Sequence, residues 1–88
     1  MIGEQLFSIG DEVLAYLSYT SGISQYVGVV TGWGSIHQCV YISVLNPGEG
    51  QHLYSPLGLT PIGTQRPVSP EDREQSKKLL AEARCRQL

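Results

Sequence analysis

Residues 25–44 read QYVGVVTGWGSIHQCVYISV, and the fold is decided there. Two runs, YVGVVTGW and CVYISV, are crowded with Val, Ile, Tyr and Trp. The polar link Gly34-Ser35-Ile36-His37-Gln38 joins them. β-branched and aromatic residues suit a pleated, half-buried surface, and a glycine beside the break marks an antiparallel hairpin. Val40, Ile42 and Val44 alternate with Cys39, Tyr41 and Ser43, so the first set is assigned to the core. Gly28 and Gly32 in the first run mark tight curvature or close backbone approach. The hairpin is predicted to form the centre of a small β-barrel.

The flanking segments extend that reading. Upstream, Gly10-Asp11 turns the chain into a first strand, Glu12–Tyr19, in which Val13, Ala15 and Leu17 face inward and Leu14, Tyr16 and Ser18 face outward. Leu6 and Phe7 are placed as a plug at the barrel bottom, and Thr20–Ser24 as a polar loop. Downstream, Asn46-Pro47-Gly48 breaks the chain. Gln51–Tyr54 follows as a short fourth strand, Ser55–Leu57 as a tight or 3₁₀ turn, and Leu59–Ile62 as a closing strand. Ser69-Pro70-Glu71-Asp72 opens a helix, with Ser69 as cap, Pro70 in the first turn and two carboxylates at the positive end of the dipole. Glu74/Lys78 and Glu82/Arg86 are i,i+4 pairs, and Leu79, Leu80 and Ala83 form a narrow apolar stripe. The expected organisation is a mainly β, five-stranded SH3-like barrel over residues 1–63, a linker over 64–69 and a C-terminal α-helix over 70–87. What the helix docks on is not written in its sequence.

The outline apolar-x-Gly-Asp-x-Val, a Gly-Val second strand and a final Leu-x-x-Ile is found here as Phe7–Val13, Gly28-Val29-Val30 and Leu59–Ile62. It resembles the SH3-like barrels of Tudor and KOW type over roughly residues 6–62. That resemblance implies a fold and not an activity. A narrower set is Gly10-Asp11-x-Val13, Tyr26-x-Gly28-x-x-x-Gly32-Trp33, Tyr41 and Leu53-Tyr54, followed by Leu59 and Ile62. These are similar to the plasmid-borne, trimethoprim-insensitive dihydrofolate reductases, tiny SH3-like barrels that assemble as tetramers around a central pore. The pore motif of that family, Val-Gln-Ile-Tyr, falls on Gln51-His52-Leu53-Tyr54. His52 stands where the family has its substrate-gripping Gln, and the family's cationic Lys has no counterpart in Leu14-Ala15-Tyr16. The catalytic motif is not retained. What the resemblance implies is the architecture, an oligomeric habit and an origin in mobile bacterial DNA.

Charge narrows the function classes. Every Lys and Arg lies at or beyond Arg66, and residues 1–65 carry Glu4, Asp11, Glu12 and Glu49 with no basic side chain. Phosphate recognition needs cations on the binding surface, so nucleic acid is an unlikely partner for the body. Only the tail helix, with Lys77, Lys78, Arg84 and Arg86, offers them. Cys39 and Cys85 have no metal-ligand spacing and read as reduced thiols. His37 and His52 form no triad, and the body carboxylates are scattered. No catalytic residue, metal site or cofactor is therefore assigned. No apolar run approaches the ~20 residues that cross a bilayer, and the start lacks the pattern of a secretory signal. No membrane association is expected, and the expected location is the cytoplasm.

The candidate site is aromatic. Tyr16, Tyr26, Trp33, Tyr41, His52 and Tyr54 are the residues expected to bind a ligand or partner, with Trp33 the foremost contact. An acidic, aromatic surface suits a cation, and Tyr and Trp are enriched at protein interfaces. The expected function is a non-enzymatic binding or assembly module whose partner is a protein, a peptide, a cationic group or a second copy. Leu79, Leu80 and Ala83 are expected to supply an assembly contact from the helix. The alternative is a small-molecule, reductase-like site in the pore of a homo-oligomer, built from His52 and Tyr54.

Overall fold

The computed structural model describes residues 7–19, 21–36 and 38–86. They form five antiparallel strands in one sheet and a single C-terminal helix. The strands are β1 (Asp11–Tyr19), β2 (Gly22–Ile36), β3 (Cys39–Asn46), β4 (Gly50–Tyr54) and β5 (Leu59–Gln65), with a 3₁₀ turn at Pro56–Gly58 between the last two. The helix, α1, is Pro70–Arg86. The spatial order is β4-β3-β2-β1-β5, so three hairpins form a meander and β5 returns to the first strand.

The connections are set by residues that tolerate unusual backbone. Gly10 has a φ of 99° and donates its N–H to the Val30 carbonyl at 2.7 Å. The Asp11 carboxylate accepts from Ser8 N at 2.8 Å, which closes the turn into β1. The Asn46–Gly50 turn closes through Glu49 N to Asn46 O at 2.9 Å, with Gly48 and Gly50 both at positive φ. The central hairpin is tighter than its sequence suggests. Ile36 pairs with Cys39, so Gly34, Ser35 and Ile36 are ladder residues and only two positions remain in the loop. Glycine at 34 is compatible with a strand because the helix passes directly over it.

The alternation assigned from sequence holds at Val13, Ala15, Ile42 and Val44, and the side chain of Leu17 lies outside the described residues. Val13 and Ala15 on β1, Val30 on β2, and Ile42 and Val44 on β3 are all fully buried, and Phe7 and Leu59 close the cluster. Val40 and Tyr54 pack against it. Leu6, His37 and Thr20 lie outside the described residues. β5 runs on through Gln65, two residues into the expected linker. The cause is the pairing of Asp11 with Gln65, followed by Arg66 N donating to Gly10 O at 2.7 Å. The Arg66 guanidinium then reaches Glu12 Oε2 at 2.6 Å and covers a carboxylate that is otherwise nearly buried.

The helix starts where the cap predicts, with Asp72 N donating to Ser69 Oγ at 3.1 Å. Glu74 pairs with Lys77 at 3.4 Å instead of with Lys78, one residue round the helix. Lys78 faces a groove against the sheet instead.

Candidate functional site

The side of the sheet away from the core divides into two halves of different chemistry. One half is covered by α1. Gly32, Gly34 and Ser43 face the helix from β2 and β3, and Thr31 and Gln51 join them. Small residues bring the helix close: a Cβ at Gly32 would stand 2.5 Å from Ser76 Oγ, and one at Gly34 would meet Leu80 at 3.4 Å. Below the helix is a polar seam. The Gln51 side-chain carbonyl accepts from the hydroxyls of Thr31 at 3.0 Å and Ser43 at 3.1 Å, and its amide donates to the Asp72 carbonyl at 2.9 Å. Two lone pairs and one N–H are thereby used, which is why Thr31 and Ser43 can be buried. A groove of about 360 Å³ flanks the seam between α1 and the β3–β4 edge, lined by Leu45, Gln51, Asp72, Lys78, Leu79 and Glu82.

The other half is uncovered among the described residues. Leu14 on β1 lies directly opposite Val27 on β2 and Thr60 on β5, and Tyr16 lies opposite Gln25. Ile23 (70% exposed), Val27 (46%), Ile62 (44%) and Tyr16 (42%) present apolar surface to solvent. From the strand spacing and rise this face covers roughly 300 Å². Among the described residues no charged side chain stands within it; Glu12, at its border, is held by Arg66. The largest apolar patch on a monomer is of this order, about 300–600 Å², and is often a site of binding.

The six aromatic-site candidates do not share one surface. Tyr16 stands on the uncovered apolar face. Tyr41 is opposite Gly34 and half-buried, on the helix side. Tyr26, paired with Ala15, and His52 and Tyr54, paired with Val44 and Ile42, are on the core side. His52 and Tyr54 are neighbours, with ring centroids 6.5 Å apart at 61°. Each is tied down. His52 Nε2 donates to the Glu49 carbonyl at 2.9 Å, because a carbonyl can only accept, and Asn46 Nδ2 donates to the Tyr54 hydroxyl at 2.8 Å. Burial pushes the Tyr54 hydroxyl above its ordinary 10.0, the Asn46 hydrogen bond opposes that, and the Glu49 charge adds to it. Trp33 is 38% exposed and lies beside α1, next to Arg73 and Lys77.

The assembly-stripe residues turn toward the chain's own sheet: Leu80 sits over Gly34 and Leu79 lines the groove beside Leu45. Ala83 is half-buried. Sequence reasoning missed Ile23, Val27 and Ile62 as surface residues. For Val27 the signal was present, since it alternates with Tyr26 and Gly28 exactly out of phase with Val13 and Ala15 across the ladder. Among the described residues no group of His, Cys, Asp and Glu is placed to hold a metal ion, and no helix is long and apolar enough to cross a membrane. Comparison of the chain with family models, with curated proteins and with solved structures finds no match.

Proposed function

We propose that this chain is a non-enzymatic assembly module of SH3-like type, acting in the cytoplasm, whose uncovered β1–β2–β5 face binds a second copy of itself. The observation that carries the reading is the uncharged apolar patch of Tyr16, Ile23, Val27 and Ile62, on the half of the sheet that α1 leaves open. A surface without charge is not repelled by its own image across a two-fold axis, and apolar centres are the mark of self-association. A thin core in 88 residues gains from such pairing. The helix stripe is spent on the chain's own sheet and leaves the sheet face as the interface.

Substituting Val27→Lys places a charge at the centre of the patch without touching the core. The expected result on size-exclusion chromatography is a shift from dimer to monomer with an unchanged circular dichroism spectrum. Leu57→Lys, on the 96% exposed tip of the 3₁₀ turn, should leave the elution volume unchanged. Identical elution of native chain and Val27→Lys would overturn the reading.

A further inference from the structure

One stripe of α1 carries chemistry that its docking on the sheet leaves unused. Arg73, Ser76, Lys77 and Leu80 are spaced i, i+3, i+4 and i+7, so they stand in line on one helical face. With Ile9 and Gly32 they line a cleft of about 150 Å³ between α1 and β2.

Ser76 is 1% exposed, yet its Oγ has no hydrogen-bond partner among the described residues. Its two nearby options are closed. A serine inside a helix ordinarily returns its hydroxyl to the carbonyl four residues back, here that of Asp72. That oxygen already carries the helical bond and the Gln51 amide at 2.9 Å. Across the contact stands Gly32, which has no side chain to offer; a Cβ there would be 2.5 Å from Oγ. A buried hydroxyl without a partner costs stability, and the side of Ser76 left open is the cleft that it lines.

The groups beside that hydroxyl point to one kind of occupant. Arg73 is exposed, and its guanidinium has no side-chain partner among the described residues. Lys77 pairs with Glu74 at 3.4 Å with both side chains largely in water, a contact that contributes little. No carboxylate lines the cleft among the described residues. Two cations less the Glu74 charge leave close to one positive charge, which matches a monoanion. Ile9 and Leu80, both half-buried, supply an apolar wall. The volume is below the ~300 Å³ at which pockets for drug-sized ligands begin, so the occupant is small.

We infer that this cleft binds a small monocarboxylate bearing a short apolar group. Arg73 holds the carboxylate in two-point geometry, Lys77 adds charge, and the Ser76 hydroxyl donates to the same group. The apolar group packs between Ile9 and Leu80. The site lies on the half of the sheet that α1 covers, away from the proposed self-association face, and needs no second copy to complete it.

The nitrogen-labelled full chain is titrated with isovalerate and, in parallel, with isovaleramide, acetate and inorganic phosphate. The backbone amide resonances of Arg73, Ser76 and Lys77 are followed. Saturable shifts with isovalerate at millimolar concentration are expected. Isovaleramide keeps the shape without the charge, and acetate keeps the charge without the apolar group; each should bind at least tenfold more weakly. The double variant Arg73→Gln/Lys77→Gln, confined to exposed helix positions, should weaken isovalerate at least tenfold. Ser76→Ala should weaken it severalfold with no loss of stability, a separation that a merely structural serine would not give. No saturation by isovalerate, or equal affinity for the amide or acetate, would overturn the inference. So would unchanged binding in the double variant or in Ser76→Ala, or phosphate binding as tightly as isovalerate. None of these readouts depends on oligomer mass, so the self-association reading stands or falls separately.

Discussion

The docking of α1 on the sheet hinges on Gly32 and Ser76, and the pair can be tested as a unit. In Gly32→Ala the new Cβ would lie 2.5 Å from Ser76 Oγ, about 1 Å inside contact, while the next nearest atom, Ser76 Cβ, lies at an ordinary 3.5 Å. Overpacking of one methyl costs about 1–3 kcal/mol. Gly32 is not among the glycines at positive φ, so alanine fits the backbone and returns about 0.4–1 kcal/mol through the unfolded chain. The expected net loss is about 1–2 kcal/mol. Ser76→Ala removes a buried hydroxyl that has no partner and replaces serine by the better helix former, so it should be neutral or stabilising by up to about 1 kcal/mol. In the double variant the clash is gone and the entropy gain remains. Gly32→Ala/Ser76→Ala should therefore be at least as stable as the native chain, with a coupling energy equal to the relieved clash, about 1–3 kcal/mol. Urea unfolding reads this directly. With a slope near 1 kcal/mol/M for a chain of this size, Gly32→Ala should lower the midpoint by roughly 1–2 M and the second substitution should restore it. The assay needs only the four variants of the cycle. Additive effects, with Gly32→Ala equally damaging whether or not residue 76 carries a hydroxyl, would refute the packing of the helix on Gly32.

Gly28→Ala has no such relief: its Cβ would stand 2.4 Å from Val44 Cγ1 and 3.0 Å from the Leu45 carbonyl oxygen, which is backbone, so a loss of about 3 kcal/mol is expected in the same urea assay. Gln51→Leu should cost about 1–3 kcal/mol by removing the acceptor of the buried Ser43 hydroxyl, while Thr31 keeps the Ser43 carbonyl oxygen at 3.2 Å, and adding Thr31→Val with Ser43→Ala should recover most of it. Tyr54 supplies a pH dependence. Its folded pKa is raised above the unfolded 10.0, so the native state binds more protons in that window. Its contribution is intact below pH 10 and is lost as pH rises through the folded value; the alkaline decline of stability should be shallower in Tyr54→Phe.

The meander was legible because its signals are local. Val13/Ala15 and Val40/Ile42/Val44 carry the two-residue period, and Gly10-Asp11 and Asn46-Pro47-Gly48 carry turn chemistry at the chain reversals. Ser69-Pro70 carries the helix cap. The covered half of the sheet was not legible. Thr31 and Ser43 are polar yet buried because α1 returns over them, with Gln51 half-buried beside them, and their mutual hydrogen bonds span up to 20 residues of sequence. The same long-range fact removes Leu79 and Leu80 from the surface. The aromatic candidates were scattered for a simpler reason. Aromatic content says nothing about strand parity, and one-residue offsets send Tyr16 and Tyr26 to opposite faces of paired strands. Trp33 was singled out for its flanking glycines, which serve the approach of the helix; its cationic neighbours come from α1, forty residues on.

The most direct test of the self-association face is an isotope-filtered NOE experiment on an equal mixture of labelled and unlabelled chains. The account predicts contacts between copies from the Tyr16 ring and the methyls of Val27, Ile23 and Ile62. Contacts from Leu79 and Leu80 instead, or no contact between copies at millimolar concentration, would contradict it.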